Sequence, residues 1–427
     1  MNFVIKGTIC YNTSPTELAT VDGYAVCEGG CSRGIFETLP EAYAGYTLYD
    51  CTGKLVIPGM VDLHIHASQF AYRGTGFDLE LLDWLNLHAF PEESKFADPD
   101  SARRAYGIFA DAMKKSATTR ACVFASRHGD ATGILMELLN DAGLVSYVGK
   151  VNMNRAAPEP LCEESAEASA ADTIAWIERT KDRFPRSYPI LTPRFIPSCT
   201  DALMARLGEI QRAYNLPIQS HVSENISEIA WVGELRPAAA YYGDAYDIHG
   251  LFGRSPDGKD VPTVMSHCVW SSDREITKMK AQGVYVCHCP ASNLNVASGI
   301  APIRRYLDAG LRVGLGSDVA GGQSESMFRA VTDTVQVSKM YWRHVNPSLK
   351  AVTFEEAFYM ATRGGGEFFG KVGSFDEDYE FDALVLDDSS IASTITLDAR
   401  QRLERAFYLS LDRDGIVHKF VGGEQIF

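Results

Sequence analysis

Between about residues 60 and 370 the chain repeats one alternation: a short, almost continuously apolar run, then a longer segment with apolar residues at helical period. The runs are VDLHIH, TRACVFAS, SYVGKVN, YPILTPRF, LPIQSH, PTVMSH, VYVCHC and LRVGLG. Uninterrupted hydrophobicity over strand length suits a strand buried on both faces, as in a parallel sheet. Helical candidates are SARRAYGIFADAMKKS before the second run, ASAADTIAWIERTKDRF after the third and TDALMARLGEIQRAYN after the fourth. SSDREITKMKAQG and APIRRYLDAG follow the sixth and seventh. Eight strands separated mostly by helices predict an α/β fold, a (β/α)8 barrel of the TIM type. An open doubly wound sheet shares this alternation, and the residues at the strand ends separate the two.

The first run ends in His64-Ile65-His66, the fifth in His221 and the sixth in His267, and Asp318 follows the eighth. On an extended strand, side chains two residues apart point to one side, roughly 7 Å apart along the chain. His64 and His66 can therefore close on one metal ion. Ligands at the ends of the first, fifth, sixth and eighth strands converge naturally only in a closed ring. In such a barrel the C-terminal strand ends form the active-site face. Histidines and a carboxylate without thiolate suit a catalytic zinc or iron with a position left open for water.

SHVSEN adds Glu224 three residues after His221. A carboxylate there can lean over metal-activated water and carry its proton to a substrate. The competing reading is a capping role for Ser223 or Glu224 at a helix start. Beside His221, catalysis is the reading taken. Lys150, ending the third run, offers a further alternative: carbamylated, it would bridge two metals with His221 and His267. Glu224 as the proton carrier of a mononuclear site favours one ion. Cys287-His288-Cys289 looks like a metal motif but lies within an expected buried strand, with the two thiols on one face and the imidazole on the other. His88, His128, His249, His344 and His418 have no partner pattern. RGGGEFFG, Arg363 to Gly370, lacks the spacing and the preceding strand of a phosphate loop, and is expected to end or bend a helix.

The chain ends read differently. FVIKGTICYN, DGYAVCEGG, RGIFETLP and GKLVIPGM are short extended runs punctuated by Gly, Asn and Pro. DALVLDD, AFYLSLDRDG and IVHKFVGGEQIF return to that pattern near the C-terminus. Residues 1–60 and 376–427 are therefore expected to form one small β-sandwich-like domain that the barrel, residues 61–375, interrupts. At 427 residues the chain is long enough for one large domain and a smaller one.

A formal net charge of −15 argues against a nucleic-acid partner, which needs a basic footprint, but leaves room for a small neutral substrate. The opening MNFVIKGTICYNTSP has no export-signal pattern, and no apolar run approaches the ~18 residues of a membrane span. Ten scattered cysteines without a C-x-x-C pair do not form a disulfide framework, so a cytoplasmic location is expected.

Several segments together resemble the amidohydrolase superfamily, and within it the purine-deaminating aminohydrolases of the guanine deaminase family. They are PGMVDLHIHASQFAYRG, FDLELLDWLNLHAFPEE, LTPRF, SHVSEN, HCPASNLNVASG and GLGSDVAGGQSESM, in that order. The H-x-H and S-D parts are superfamily-wide; SQF with LLDWLNLHAFP, TPRF and DVAGG is more specific. The resemblance implies one zinc per chain, with ferrous iron the alternative, held by His64, His66, His221 and Asp318. It implies that Glu224 shuttles protons, that Asp318 takes a proton from the attacking water and that His267 is a hydrogen-bond partner or weak ligand of that water. It places Gln69, Arg194 and the backbone at Phe195 around a purine, and implies hydrolysis of guanine to xanthine and ammonia by a homodimer. Other aminated or halogenated heterocycles, or a barrel reduced to binding, are the alternatives. Two departures stand out: FDEDYEFDALVLD lacks a glycine common before its strand, and HCVWSS differs from the H-G-C-Y-like form of some relatives, so the resemblance does not fix the pocket wall near Trp270. The unrelated deaminase fold with an H-x-E and P-C-x-x-C signature is excluded by its absence here.

Overall fold

A computed structural model describes residues 1–427. Eight parallel strands form the barrel: β1 (Met60–His66), β2 (Thr118–Phe124), β3 (Val145–Gly149), β4 (Ser187–Pro189), β5 (Ile218–Val222), β6 (Thr263–His267), β7 (Tyr285–His288) and β8 (Arg312–Leu315). Ladders join β1 through β4 and β5 through β8. The two arcs meet where Leu191 bridges Ile218, and again at the seam between β8 and β1. There Asp318 N–H donates to His64 O at 2.8 Å and His66 N–H to Val319 O at 2.9 Å. The ring is closed, as the ligand positions required.

The expected helices follow from their caps and apolar spacing. Asp98 accepts from Ser101 N–H to start Pro99–Lys115, whose buried Ala102, Tyr106, Phe109, Ala110 and Met113 make one helical stripe. Ser165, Thr200 and Ser272 cap Ala166–Thr180, Asp201–Tyr214 and Asp273–Gln282 in the same way. A helix at Gly129–Asp141 that is not among the expected ones fills the gap between β2 and β3. The RGGGEFFG stretch does bend and end a helix: Arg363 and Gly364 close the turn Met360–Gly364, and Gly370 terminates the next at φ 110°.

The chain ends form one seven-stranded sheet, ordered Glu424–Gln425, Ile416–Val421, Ala383–Leu386, Thr47–Pro58, Phe3–Ser14, Glu17–Glu28, Cys31–Phe36. Its own core holds Phe3, Ile5, Phe375, Phe381 and Phe420, separate from the large barrel core. AFYLSLDRDG is a correction, for it is not a strand. Its first residues end the helix Ala399–Tyr408, which begins at an Asp398–Gln401 capping box, and a short turn at Leu411–Arg413 follows. Buried Leu403, Ala406 and Phe407 lie at helical spacing, and that local stripe outweighs the short extended look of the last residues.

Candidate active site

The site sits where β1, β5, β6 and β8 end. A register irregularity between Asp62 and Ile65 resets the alternation of β1. Leu63 packs with the apolar barrel floor of Val61, Cys122, Val264 and Cys287, while His64 and His66 both face the mouth. Asp62 fastens the seam beneath them: it accepts from His64 N–H at 3.1 Å, Ser317 N–H at 3.0 Å and Ser317 Oγ at 2.5 Å. At the far strand ends, His267 and Asp318 take left-handed backbone, φ 71° and 47°. Such conformations cost energy in non-glycine residues and concentrate at functional sites.

Three imidazole nitrogens converge: His66 Nε2 lies 3.2 Å from His64 Nε2 and 3.3 Å from His221 Nε2. Asp318 Oδ1 lies 3.1 Å from His64 Nε2 and 3.5 Å from His66 Nε2, and its Oδ2 is 3.7 Å from His267 Nε2. Ligand atoms ~2.0–2.1 Å from a tetrahedral ion stand about 3.3 Å apart, so these separations fit one divalent cation. Burial holds His64, His66 and His221 in the neutral form, which offers lone pairs. His221 donates its Nδ1 hydrogen to Arg194 O at 2.6 Å, which aims Nε2 at the cluster. Burial works against the charged form of Asp318, but His64, His267 and His66 outweigh it and hold the carboxyl well below its ordinary range. The residues fit a metal.

Glu224 follows β5 in a loop, after Ser223 at φ 50°, and is not a helix cap. The cap of the next helix is Asn225, paired with Glu228. Glu228 also takes the Glu224 N–H at 3.0 Å. Ser298 Oγ donates to Glu224 Oε1 at 3.1 Å, and Glu224 Oε2 lies 3.5 Å from His267 Nε2. Burial raises the Glu224 carboxyl above the usual glutamate range, with His267 opposing and Glu228 reinforcing. His267 is oriented by Asn293 Oδ1 at 2.9 Å from its Nδ1; burial would lower its pKa, but Glu224 and Asp318 raise it.

One pocket joins His66, His221, Glu224, His267 and Asp318 to Gln69, Arg194 and Phe195. All nine residues singled out in the sequence meet here, since His64 lies directly behind His66. The Phe195 carbonyl is taken up by Ser198 N–H and Oγ, each at 3.1 Å. Trp270 stands outside the pocket and donates to Ser298 O at 2.7 Å, steadying the residue that bonds Glu224. Cys287 and Cys289 pack together, their sulfurs 3.8 Å apart, in the barrel floor. Lys150 pairs with Glu163 at 2.6 Å and lies outside the groups that can hold a metal.

Sequence reasoning missed Asp62, Asn293, Ser298, the pocket-lining Leu81, Trp84 and Leu85, and Glu93. Asp62 sits beside the H-x-H pair, and Leu81, Trp84, Leu85 and Glu93 within the resemblance-bearing segment FDLELLDWLNLHAFPEE. No spacing signal ties any of them to its partner.

The model of the amidohydrolase family matches residues 55–426. The chain is 38% identical to guanine deaminase from Mus musculus over 87% of this chain and 83% of that protein. It is 38% identical to the enzyme of that name from Dictyostelium discoideum over 80% and 75%. Its fold is similar to the crystal structure of guanine deaminase from C. acetobutylicum with guanine bound in the active site: TM-score 0.95, 42% identity, all of both chains. With this likeness running through the barrel that carries the site, the chain belongs to the amidohydrolase family and, within it, to the guanine deaminases.

Proposed function

We propose that this pocket hydrolyses guanine to xanthine and ammonia on one zinc ion held by His64, His66, His221 and Asp318. A bound divalent cation activates a water by lowering its pKa toward ~7. The observation that carries the reading is the juxtaposition, in one buried pocket, of the histidine–aspartate cluster, Glu224 and the Gln69–Arg194 pair.

The residues divide the work by position. Asp318 takes one proton from the water as its oxygen bonds to C2 of the purine. Glu224, raised so that it can hold a proton, protonates the adjacent ring nitrogen, making C2 tetrahedral without leaving charge on the ring. The proton on Asp318 passes to the C2 amine, which leaves as ammonia when the C–N bond breaks. Glu224 recovers its proton from the new hydroxyl as it becomes the xanthine carbonyl. His267 hydrogen-bonds the attacking water, and Arg194, Gln69 and the Phe195 backbone seat the purine. Three imidazoles and a carboxylate without thiolate support zinc or, alternatively, ferrous iron.

The chain acts as a homodimer in the cytoplasm on this reading. Half-exposed Leu294 and Met340, which line one apolar surface hollow, support self-association, and ten unpaired cysteines support a reducing compartment. No helix is long and apolar enough to cross a membrane.

Ammonia release and xanthine formation, measured with metal-loaded protein over a panel of purines and pyrimidines, test the activity. Guanine is expected to be the best substrate. Absence of xanthine, or a better turnover of adenine, refutes the reading.

A further inference from the structure

Glu93 is a buried carboxylate that neither metal binding nor proton transfer uses. It ends the short helix Phe90–Glu93, in the segment whose Leu81, Trp84 and Leu85 line the pocket. Its side chain is 1% exposed and pairs with Arg194 Nη1 at 2.5 Å while accepting from Gln69 Nε2 at 2.8 Å. Gln69 turns its carbonyl away, to the Ala320 N–H at 3.2 Å in the loop after β8. A carboxylate paired with a guanidinium accepts only, so this pattern assigns the amide orientation. The Gln69 carbonyl is committed to the backbone, and Arg194 has no acceptor to offer. The edge shared by these two side chains presents hydrogen-bond donors.

We propose that Glu93 is a positioning residue that holds Arg194 and Gln69 as a donor-only edge, so that the pocket takes purines with oxygen at position 6 and rejects those with an amine there. The inference rests on the purine reading of the pocket. A 6-oxo group supplies lone pairs to the donors. A 6-amino group sets N–H against N–H and leaves buried groups unpaired, which separates two analogues by several orders of magnitude. Without the Glu93 carboxylate, the Gln69 amide loses the acceptor that fixes its NH2 group and is held only through its carbonyl by the Ala320 N–H, and the guanidinium loses the partner that sets its tilt over the Phe90 ring.

The test compares kcat and KM for guanine and 2,6-diaminopurine, which carry the same reacting amine at C2 and differ at position 6. Wild type is expected to favour guanine in kcat/KM by about 10³-fold or more. Glu93→Gln is expected to reduce that preference by about 10- to 100-fold, chiefly through a higher KM for guanine, with the metal content unchanged. Glu93→Asp keeps the charge one methylene further back and serves where the glutamine variant does not fold; its preference should fall between the two. In an Arg194→Met background, adding Glu93→Gln should lower the remaining preference by less than it does in wild type, because only the Gln69 part of the edge is then left to release and coupled residues are not additive. A wild type that forms no xanthine from guanine sinks the underlying reading. A wild type that does so, while both Glu93 variants keep its preference and lose only thermal stability, overturns the role of Glu93 alone.

Discussion

Asp382 and Arg120 lock the barrel to the outer sheet, and removing one of them should cost more than removing both. Arg120, on β2, is 3% exposed, and Asp382, just before the strand Ala383–Leu386, is fully buried. Asp382 accepts from Arg120 Nε at 2.7 Å and Nη2 at 3.1 Å, and from Gly422 N–H at 2.7 Å. Asp382→Ala leaves a buried guanidinium whose remaining carboxylate, Glu380, is 48% exposed, and it orphans the Gly422 N–H. Breaking a buried pair from one side costs about 3–5 kcal/mol, and the unpaired N–H of half-buried Gly422 adds about 1 kcal/mol, the low end for an unmet donor. With Glu380 still in place, the expected loss is about 4–5 kcal/mol. Adding Arg120→Met removes the stranded charge and leaves chiefly the Gly422 N–H, so the double variant should lose only about 1 kcal/mol. Urea unfolding of wild type, single and double variants gives these values by linear extrapolation. At about 2.1 cal/mol/K per residue, the single variant should also melt about 5 °C lower. A double variant as unstable as Asp382→Ala, or more so, would show that the stranded guanidinium is not the source of the loss.

Glu224→Gln should lower kcat about 10²- to 10⁴-fold with KM and metal content near normal, since the amide can keep the Ser298 bond but cannot deliver the proton; a near-normal kcat would leave Glu224 without a proton to carry. His64→Ala removes the nitrogen nearest both His66 and Asp318, and elemental analysis should find no bound ion and the assay no turnover. Two ions per active chain with Lys150 carbamylated would contradict a single-metal centre. Burial, aided by the charges of Arg127 and Lys150, pushes His128 down to about 4 from an ordinary value near 6.5. Between those values the unfolded chain binds a proton that the folded chain does not, so stability falls as pH drops through that window and the penalty is complete below pH 4. The loss, discounted for the half-buried ring, is about 1–2 kcal/mol. Denaturation of His128→Asn at pH 4 and 7 should show a smaller pH difference than wild type; an equal difference assigns the acid sensitivity elsewhere.

The barrel was legible in the sequence because its determinants are local. A buried parallel strand must be apolar throughout and a packed helix must carry a stripe, so eight runs and their intervening periods identify the architecture. Each metal-facing residue stood at the end of such a run, and barrel geometry gathers strand ends. Where the local signal was short, it misled: AFYLSLDRDG resembled a strand, yet the Asp398 cap upstream makes its start the end of a helix. Tertiary structure alone decided the rest. Simple alternation along β1 would put His64 on the opposite face from Leu63 and the same face as Asp62. The irregularity that lets Leu63 pack in the floor while both histidines face the mouth depends on pairing with β2. Glu93 meets residues 24 positions before and 101 after it. No periodicity encodes that meeting, because it exists only once the segment after β1 has folded over the closed ring and buried the three polar groups together.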